Sequence, residues 1–459
     1  MFAKPTIAIL GLGHVGLPTA LGFSELGWRV IGADDLREKA NQIRAGVAPF
    51  YEPGLQDLLS SALRSGRFEV ALNVQSAIEN SDVIFVCVGT PQNEDGSADL
   101  SQIEAVGRLI AEHANSNKLV VEKSTTSVFT AKRLKDMMEK HKNLNWNIDV
   151  AVNPEFLREG TGLKDFFEPD RIVLGVESDS ARDQLVTIYA PLLSKMDNEN
   201  TGVITHRNAK FVITDLNTAE IIKHASNSFL ATKISFINSV ADVCDKVGAD
   251  IVKVAEAMGM DPRIGPSFLN AGIGFGGYCL PKDIKAFSKI GEDFGIDMAI
   301  FRAVSSVNEN RFIAVLDKLK SSLSGLNGKC GAIWGLAFKP GTDDIRESPC
   351  VPIIKGLIDQ GISVHLHDPE AINQFKKVMP RKPGLVEYFD SPEQAAKGTD
   401  FILITTEWQQ YLQVNLSNIR DTMSNPLLID CRNMLNPTHV RDAGFQYVGI
   451  GRPFLDKSQ

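Results

Sequence analysis

Apolar residues along the chain follow two rhythms. Short apolar runs, each closed by a glycine, an asparagine or a charged residue, read as strands: Thr6-Ile7-Ala8-Ile9-Leu10, Trp28 to Ala33, Ser81 to Val88, Lys118 to Glu122 and Val150-Ala151-Val152. Between the first two the apolar positions take a helical period through Leu21, Phe23 and Leu26, and Gly27 stops it. Asn217-Thr218-Ala219-Glu220 reads as a helix start with a box-type cap. The helical period then runs far, through Ile221, Ile222, Phe229, Leu230, Ile234, Ile237 and Val240. This predicts one long, buried helix at a domain or subunit interface. Helical patterning persists to about Leu323, and the polar, glycine-containing stretch Gly325 to Gly331 marks a boundary. Strand and helix then alternate again: Lys329 to Trp334, Pro349 to Gln360, Ile362 to Leu366, and a strand from Asp400 to Thr406 that resembles the run from Asp82 to Thr90. The pattern predicts an α/β chain with two doubly wound halves around a helical middle.

Length agrees with this division, since 459 residues make about two to four domains at ~150 residues each. The net charge of −8, from 48 basic and 56 acidic residues, is not that of a nucleic-acid-binding chain. Cysteines at 87, 244, 279, 330, 350 and 431 show no metal-ligand spacing and no disulfide framework, so no metal is expected and a reducing compartment is. The chain runs from Met1 almost directly into an apolar strand without a signal-peptide layout, and no apolar run is long enough to span a bilayer. A cytoplasmic enzyme or binding protein is expected, with no membrane partner.

The candidate chemistry begins at Gly11-Leu12-Gly13-His14-Val15-Gly16, a GxGxxG turn inside a βαβ unit, with Asp34 at the end of the next strand. Gly11 would make the tight turn, Gly13 would admit a pyrophosphate and Gly16 would let helix and strand pack. Asp34 would accept from ribose hydroxyls and repel a 2′-phosphate, so NAD is favoured over NADP. Lys39 could reach the adenosine side or lie on a solvated helix face. Thr90 and Thr125 fall at carboxyl ends of strands, as ligand contacts or as turn-capping hydroxyls. Glu155 and Glu159, four apart after a strand, could face one site, one as base and one positioning a ligand; a solvated helical turn is the alternative. Lys223 and Asn227 lie i, i+4 on the long helix, a pair suited to a developing oxyanion or, for the lysine, to snorkelling. Arg263 is a candidate anion ligand. In Gly272-Ile273-Gly274-Phe275-Gly276-Gly277-Tyr278-Cys279-Leu280-Pro281-Lys282-Asp283, Cys279 would sit just ahead of a helix opening at Pro281, with Lys282 close by. Both features favour the nucleophilic thiolate, and Asp283 could share its face; a buried structural cysteine is the alternative. The C-terminal half has no GxGxxG, but Lys339 and Arg346 could pair with the phosphates of a nucleotide.

The motifs GLGHVGLP, FYEPGL, FVCVGTP, NPEFLREG, AEIIKHASNSFLATKISFIN, DPRIGPSFLNAGIGFGGYCLPKD and LAFKPGTDDIRESP resemble the UDP-glucose/GDP-mannose dehydrogenase family over nearly the whole length. The resemblance implies oxidation of the C6 alcohol of a nucleotide sugar to a carboxylate with two NAD per sugar. It implies a Rossmann NAD-binding domain over residues 1–210, a central helical dimerisation and catalytic domain over 211–324, and a Rossmann-like nucleotide-sugar domain over 325–459. It makes Cys279 the nucleophile, gives Asp283 and Glu155 the handling of water and protons, and gives Lys223 and Asn227 the oxyanions at C6. Val15, Asp34, Lys39, Thr125, Glu159, Lys282 and Arg346 match NAD contacts. Glu155, Phe156, Leu157, Arg158 and Glu159, with Phe268, Leu269, Asn270, Ala271, Gly272, Gly276 and Lys339, match nucleotide-sugar contacts. Arg263 matches a residue lent across a homodimer interface. The cysteine loop and FFEPDRIVLGVES are similar to the branch that oxidises UDP-glucose; the GDP-mannose and UDP-N-acetylhexosamine branches are the alternatives, with a non-catalytic nucleotide-sugar sensor a further one. Two positions depart from the family pattern: Ser127 and Phe129 stand where it usually has proline and then glycine, and His14 stands where an aromatic is common.

Overall fold

The computed structural model describes residues 4–142, 146–193 and 210–453. Positions 1–3, 143–145 and 194–209 of the expected first domain, and 454–459 of the last, lie outside the described residues. The chain divides into two compact units, Met1–Ser226 and Asn227–Gln459.

The first unit is built on eight strands: β1 Ile7–Leu10, β2 Val30–Ala33, β3 Phe68–Val70, β4 Val83–Val86, β5 Lys118–Glu122, β6 Ile148–Val152, β7 Arg171–Gly175 and β8 Lys210–Thr214. Their order is β3-β2-β1-β4-β5-β6-β7-β8. The first six run parallel, β7 meets β6 antiparallel, and β8 follows β7 in parallel. The central strands β1, β2 and β4 are apolar and fully buried because both faces are covered. Ile7, Ile9, Val83 and Phe85 enter the core on one face, and Ala8, Leu10, Ile84 and Val86 enter the other. Fully buried Phe23 anchors the first core, with ring centroids 5.1 Å from Phe85 and 5.2 Å from both Phe166 and Tyr189. The strand order reverses between β1 and β4, the place where ligands of doubly wound sheets collect.

The second unit carries a six-stranded parallel sheet: β9 Cys330–Trp334, β10 Ser363–His367, β11 Val386–Tyr388, β12 Phe401–Ile404, β13 Leu427–Asp430 and β14 Gln446–Gly449, in the order β11-β10-β9-β12-β13-β14. Helices precede it, among them Ile251–Gly259, Cys279–Asp293, Ala299–Glu309 and Arg311–Ser322. Ile237, Ala241 and Cys244, the loop residues Leu269, Ala271 and Ile273, and Ile333, Leu403 and Ile429 of the sheet share one apolar cluster. The central helices and the C-terminal sheet therefore have a continuous core, and the expected three-way division is finer than these two units. Two Rossmann-like parallel-sheet regions with a helical middle are what the alternation of the sequence predicts.

The long helix is Leu216–Val247, and it corrects two expectations. Its cap is Asp215 rather than a box built from Asn217 and Glu220: the Asp215 carboxylate accepts the Thr218 N–H at 2.9 Å and its hydroxyl at 2.6 Å. Nor is it buried all round. Ile237, Ala241 and Cys244 face the core, whereas Phe229, Phe236, Val243 and Val247 are 64, 51, 59 and 70 % exposed.

The two sheets repeat one local device. Gly11 takes φ +93° after β1, and Leu12 donates to Asp34 at 2.8 Å. Gly335 takes φ +106° after β9, and Leu336 donates to Asp368 at 2.7 Å. In the second copy Ala337 and the Trp408 indole also donate to Asp368, both at 3.1 Å. Among the described residues no helix is long and apolar enough to cross a membrane, and no His, Cys, Asp or Glu cluster could hold a metal ion.

Candidate active site

In the first unit the glycine turn has the form a dinucleotide requires. A Cβ on Gly11 would lie 2.6 Å from the Cys87 carbonyl oxygen, so only glycine makes this turn. Nothing lies within 4 Å of the Cβ position of Gly13, which leaves that backbone open to a ligand. The helix Gly16–Glu25 starts after Val15 with no side-chain cap and no acidic residue in its first turn. Its N–H groups and dipole are available to an anion. These residues fit the pyrophosphate of NAD. Asp34 accepts from Leu12 at 2.8 Å, Leu36 at 3.0 Å and Lys39 Nζ at 2.6 Å. Lys39 is thus neither on a solvated face nor independent of the acid; it is ion-paired with Asp34. His14 packs on Phe50, centroid to centroid 4.0 Å.

The loops after β4 and β5 are tied together, since the Thr90 hydroxyl donates to the Thr125 carbonyl oxygen at 2.7 Å. The turn that follows Thr125 keeps a glycine-like backbone despite the substitution: Phe129 takes φ +73°. After β6 the chain from Asn153 to Arg158 is not helical, so Glu155 and Glu159 do not share one helical face. Glu155 and Lys223 are both buried and paired. Lys223 Nζ lies 2.7 Å from Glu155 Oε1 and 2.6 Å from its carbonyl oxygen, while Leu157 donates to Oε2 at 2.7 Å. The lysine is therefore not snorkelling, and it also lies 5.4 Å from the centre of the Phe156 ring. Lys123 lies beneath, held by Asn153 Oδ1 at 2.9 Å, and burial lowers its pKa to about 8. Arg158 turns to Asp165 at the surface, whereas Glu159 is half-buried.

In the second unit the cysteine loop is held by its backbone. Gly272 donates to Asn238 at 2.8 Å and accepts from Arg311 at 3.3 Å; Phe275 exchanges two bonds with Asn308. Gly277, at φ +78°, would drive a Cβ to 2.7 Å from the Phe338 ring. A Cβ on Gly276 would meet the Glu347 carbonyl. Cys279 is the first residue of the helix Cys279–Asp293 rather than a residue ahead of it, and Pro281 is third. The thiol is partly exposed. One turn on, Asp283 is 1 % exposed; its Oδ2 accepts from Asn227 at 2.6 Å and its Oδ1 lies 2.8 Å from Lys282 Nζ. Removing one partner of such a buried pair costs about 3–5 kcal/mol. Arg346 grips Asp344 at 2.6 Å and stacks over Tyr278 at 4.6 Å, and Lys339 lies over Phe338. Leu269, Ala271 and Gly272 are buried, Asn270 is exposed and Phe268 has φ +64°. Arg263 is exposed and pairs with Asp261.

Sequence reasoning missed Arg432. It donates to the carbonyls of Thr405 at 2.9 Å, Gly274 at 3.2 Å and Phe338 at 3.2 Å, and so braces the cysteine loop. The available signal was an arginine two residues after the buried strand β13. Asn238 and Arg311 were missed as well; a buried amide and guanidinium on apolar helices mark such braces.

Three family profiles cover most of the chain. They are those of the UDP-glucose/GDP-mannose dehydrogenase family: its NAD binding domain over residues 5–193, its central domain over 217–310 and its UDP binding domain over 332–437. The chain is 39% identical over 446 residues to the UDP-glucose 6-dehydrogenase YwqF of Bacillus subtilis, covering 97% of each chain. Among solved structures it is similar to a UDP-glucose dehydrogenase from Pyrobaculum islandicum, with a TM-score of 0.88 and 36% identity over 98% of both chains. It is also similar to a UDP-D-ManNAc dehydrogenase from Pyrococcus horikoshii, with a TM-score of 0.82 and 27% identity over 98% of this chain and 100% of that one. The chain belongs to the UDP-glucose/GDP-mannose dehydrogenase family and is an NAD-dependent oxidoreductase.

Proposed function

We propose that this protein is a UDP-glucose 6-dehydrogenase, oxidising UDP-glucose to UDP-glucuronate in two steps. The identity to a UDP-glucose 6-dehydrogenase over 97% of both chains carries this reading. The Gly11–Gly16 turn and Asp34, with Thr125, Glu159, Lys282 and Arg346, would hold NAD, which would supply the hydride acceptor for each oxidation. The substrate lies against the backbone from Glu155 to Glu159, the loop Phe268 to Gly272, Gly276 and Lys339. Lys223 and Asn227 stabilise negative charge on the C6 oxygen. A bare aldehyde cannot give up a second hydride; the Cys279 thiolate adds to its carbon and forms a thiohemiacetal. Loss of the second hydride leaves a thioester. Water, with its proton taken through Asp283 and Glu155, attacks the acyl carbon, releases the carboxylate and returns the thiolate.

The residue-level roles, a domain division at 210 and 324, and a cytoplasmic setting for the six free cysteines belong to this reading. So does a homodimer. The exposed stripe Phe229, Phe236, Val243 and Val247 is a surface a second copy would cover, and the exposed Arg263 would reach across by leaving Asp261. The test is NAD reduction with UDP-glucose, GDP-mannose and UDP-N-acetylhexosamines side by side. UDP-glucose is expected to lead in kcat/KM by at least about tenfold, which needs only ~1.4 kcal/mol. An equal or better rate with another sugar nucleotide overturns the assignment.

A further inference from the structure

One buried, charged cluster in the first unit has been given no part: Glu122 at the end of β5, and Glu220 and His224 one turn apart on the long helix. All three close on the connection from β5 to the helix Thr130–His141, the segment that carries Thr125. Glu220 accepts the Phe129 N–H at 2.7 Å on Oε2 and the Ala131 N–H at 3.0 Å on Oε1. His224 Nε2 faces the Thr126 carbonyl oxygen at 2.5 Å, where an imidazole nitrogen must donate. Glu122 Oε1 is bonded to the Thr126 hydroxyl, and its Oε2 is buried without a hydrogen-bond partner. Arg133 faces Glu220 from the start of the helix it caps, and Lys223 lies between Glu220 and His224 in sequence but is turned to Glu155.

We propose that Glu220 is a positioning residue for NAD: as a carboxylate it clamps the start of the helix Thr130–His141 and so fixes the Thr125 loop, while Glu122 is kept as the neutral acid. The proposal rests on the reading that Thr125 contacts NAD. Two backbone N–H groups at a helix N-terminus select the anion at Glu220. The surroundings are too dry for a second anion, and Glu122 has an oxygen that no donor meets, a deficit a neutral carboxyl tolerates better than a carboxylate. The electrostatics agree. Burial, then the neighbouring Glu220, holds Glu122 well above the usual carboxylate range; burial raises Glu220 to about 6 against the pull of its backbone bonds. As pH falls through that value Glu220 takes a proton, one of its oxygens becomes a donor facing an N–H, and the clamp opens.

The KM for NAD should therefore rise several-fold as pH falls below about 6, with no parallel rise in the KM for the nucleotide sugar. Glu220→Gln, which turns an amide donor toward one of the two N–H groups, should raise the KM for NAD roughly tenfold and remove this pH dependence. Glu220→Asp keeps the charge and should restore part of the affinity. Glu122→Gln mimics the neutral acid and should keep the wild-type profile. It should also alter stability with a definite sign. Unfolded Glu122 loses its proton at the ordinary value, but folded Glu122 retains it, so wild-type stability falls as pH rises through the window between. The variant lacks that slope, and its melting temperature should gain on the wild type as pH rises. A Glu220→Gln enzyme with lowered melting temperature but an unchanged KM for NAD overturns the proposal, as does a Glu122→Gln enzyme with a displaced profile. Thr125→Val separates the two readings. If it raises the KM for NAD while Glu220→Gln does not, the clamp fails alone; if both leave it unchanged, the Thr125 contact fails and takes the clamp with it.

Discussion

A thiol at the first residue of a helix, with a buried acid one turn on, is chemically different from the other five thiols, and the difference is testable by counting electrons. Burial pushes Cys87, Cys350 and Cys431 up to about 12, where no thiolate forms at neutral pH. If Cys279 carries the second oxidation, the wild type should form two NADH per uronate. Cys279→Ala should make no acid and at most a slow one-NADH reaction; near wild-type acid production would remove the thiol from the mechanism. Asp283→Asn should stall at thioester hydrolysis, and intact-protein mass spectrometry should find a sugar adduct on Cys279. The ion pair Asp34–Lys39 sharpens the cofactor prediction. Asp34→Gly removes the repulsion of a 2′-phosphate and releases a lysine that can pair with one, so NADP use should rise by at least about tenfold relative to NAD. Kinetics with both cofactors check it, and wild-type use of NADP on a par with NAD would show Asp34 is misassigned. Asp34 and Cys279 were legible in the sequence because local motifs mark them. Glu220 was legible only as a helix-start residue, since its partners Phe129 and Ala131 lie 91 and 89 positions away.

Strands were read to within two or three residues where both faces are apolar, as β1, β4 and β5 are, because nothing but a buried strand suits such a run. Helix starts were less legible. The long helix begins on Asp215, one turn-forming acid ahead of an equally plausible box, and the choice depends on what Glu220 binds instead. The turn before the helix Thr130–His141 illustrates the same override. A bulky residue at φ +73° is strained by about 1–2 kcal/mol, and Phe129 is held there by Glu220. Its side chain is 37% exposed, so most of the ring is packed and that packing is lost on removal. Phe129→Gly should therefore lower stability by about 1 kcal/mol in denaturant unfolding, because lost burial and the added chain entropy of glycine outweigh the strain relieved. A gain in stability would mean that the backbone strains for more than the ring packs.

At the scale of the whole chain, two sheets and a helical middle follow from the alternation of apolar runs, but the shared core of the central helices and the C-terminal sheet could not be read from it. That core joins residues as distant as Ile237 and Ile429. The stripe on the long helix predicts assembly: Phe229→Glu with Phe236→Glu should turn a dimer into a monomer in light scattering, and an active wild-type monomer would exclude the exchange of Arg263. The paired devices at Asp34 and Asp368 predict a stoichiometry. A carboxylate offers about four lone-pair sites. Asp34 meets three donors. Asp368 meets five, because Glu370 at 2.9 Å and Ala371 at 2.8 Å join Leu336, Ala337 and Trp408. With a lone-pair site left over, Asp34 is expected to take a sugar hydroxyl, whereas its counterpart is saturated, with an indole as the stopper. The same fold thus appears once as a socket and once as a sealed joint, and titration calorimetry should count one NAD per chain.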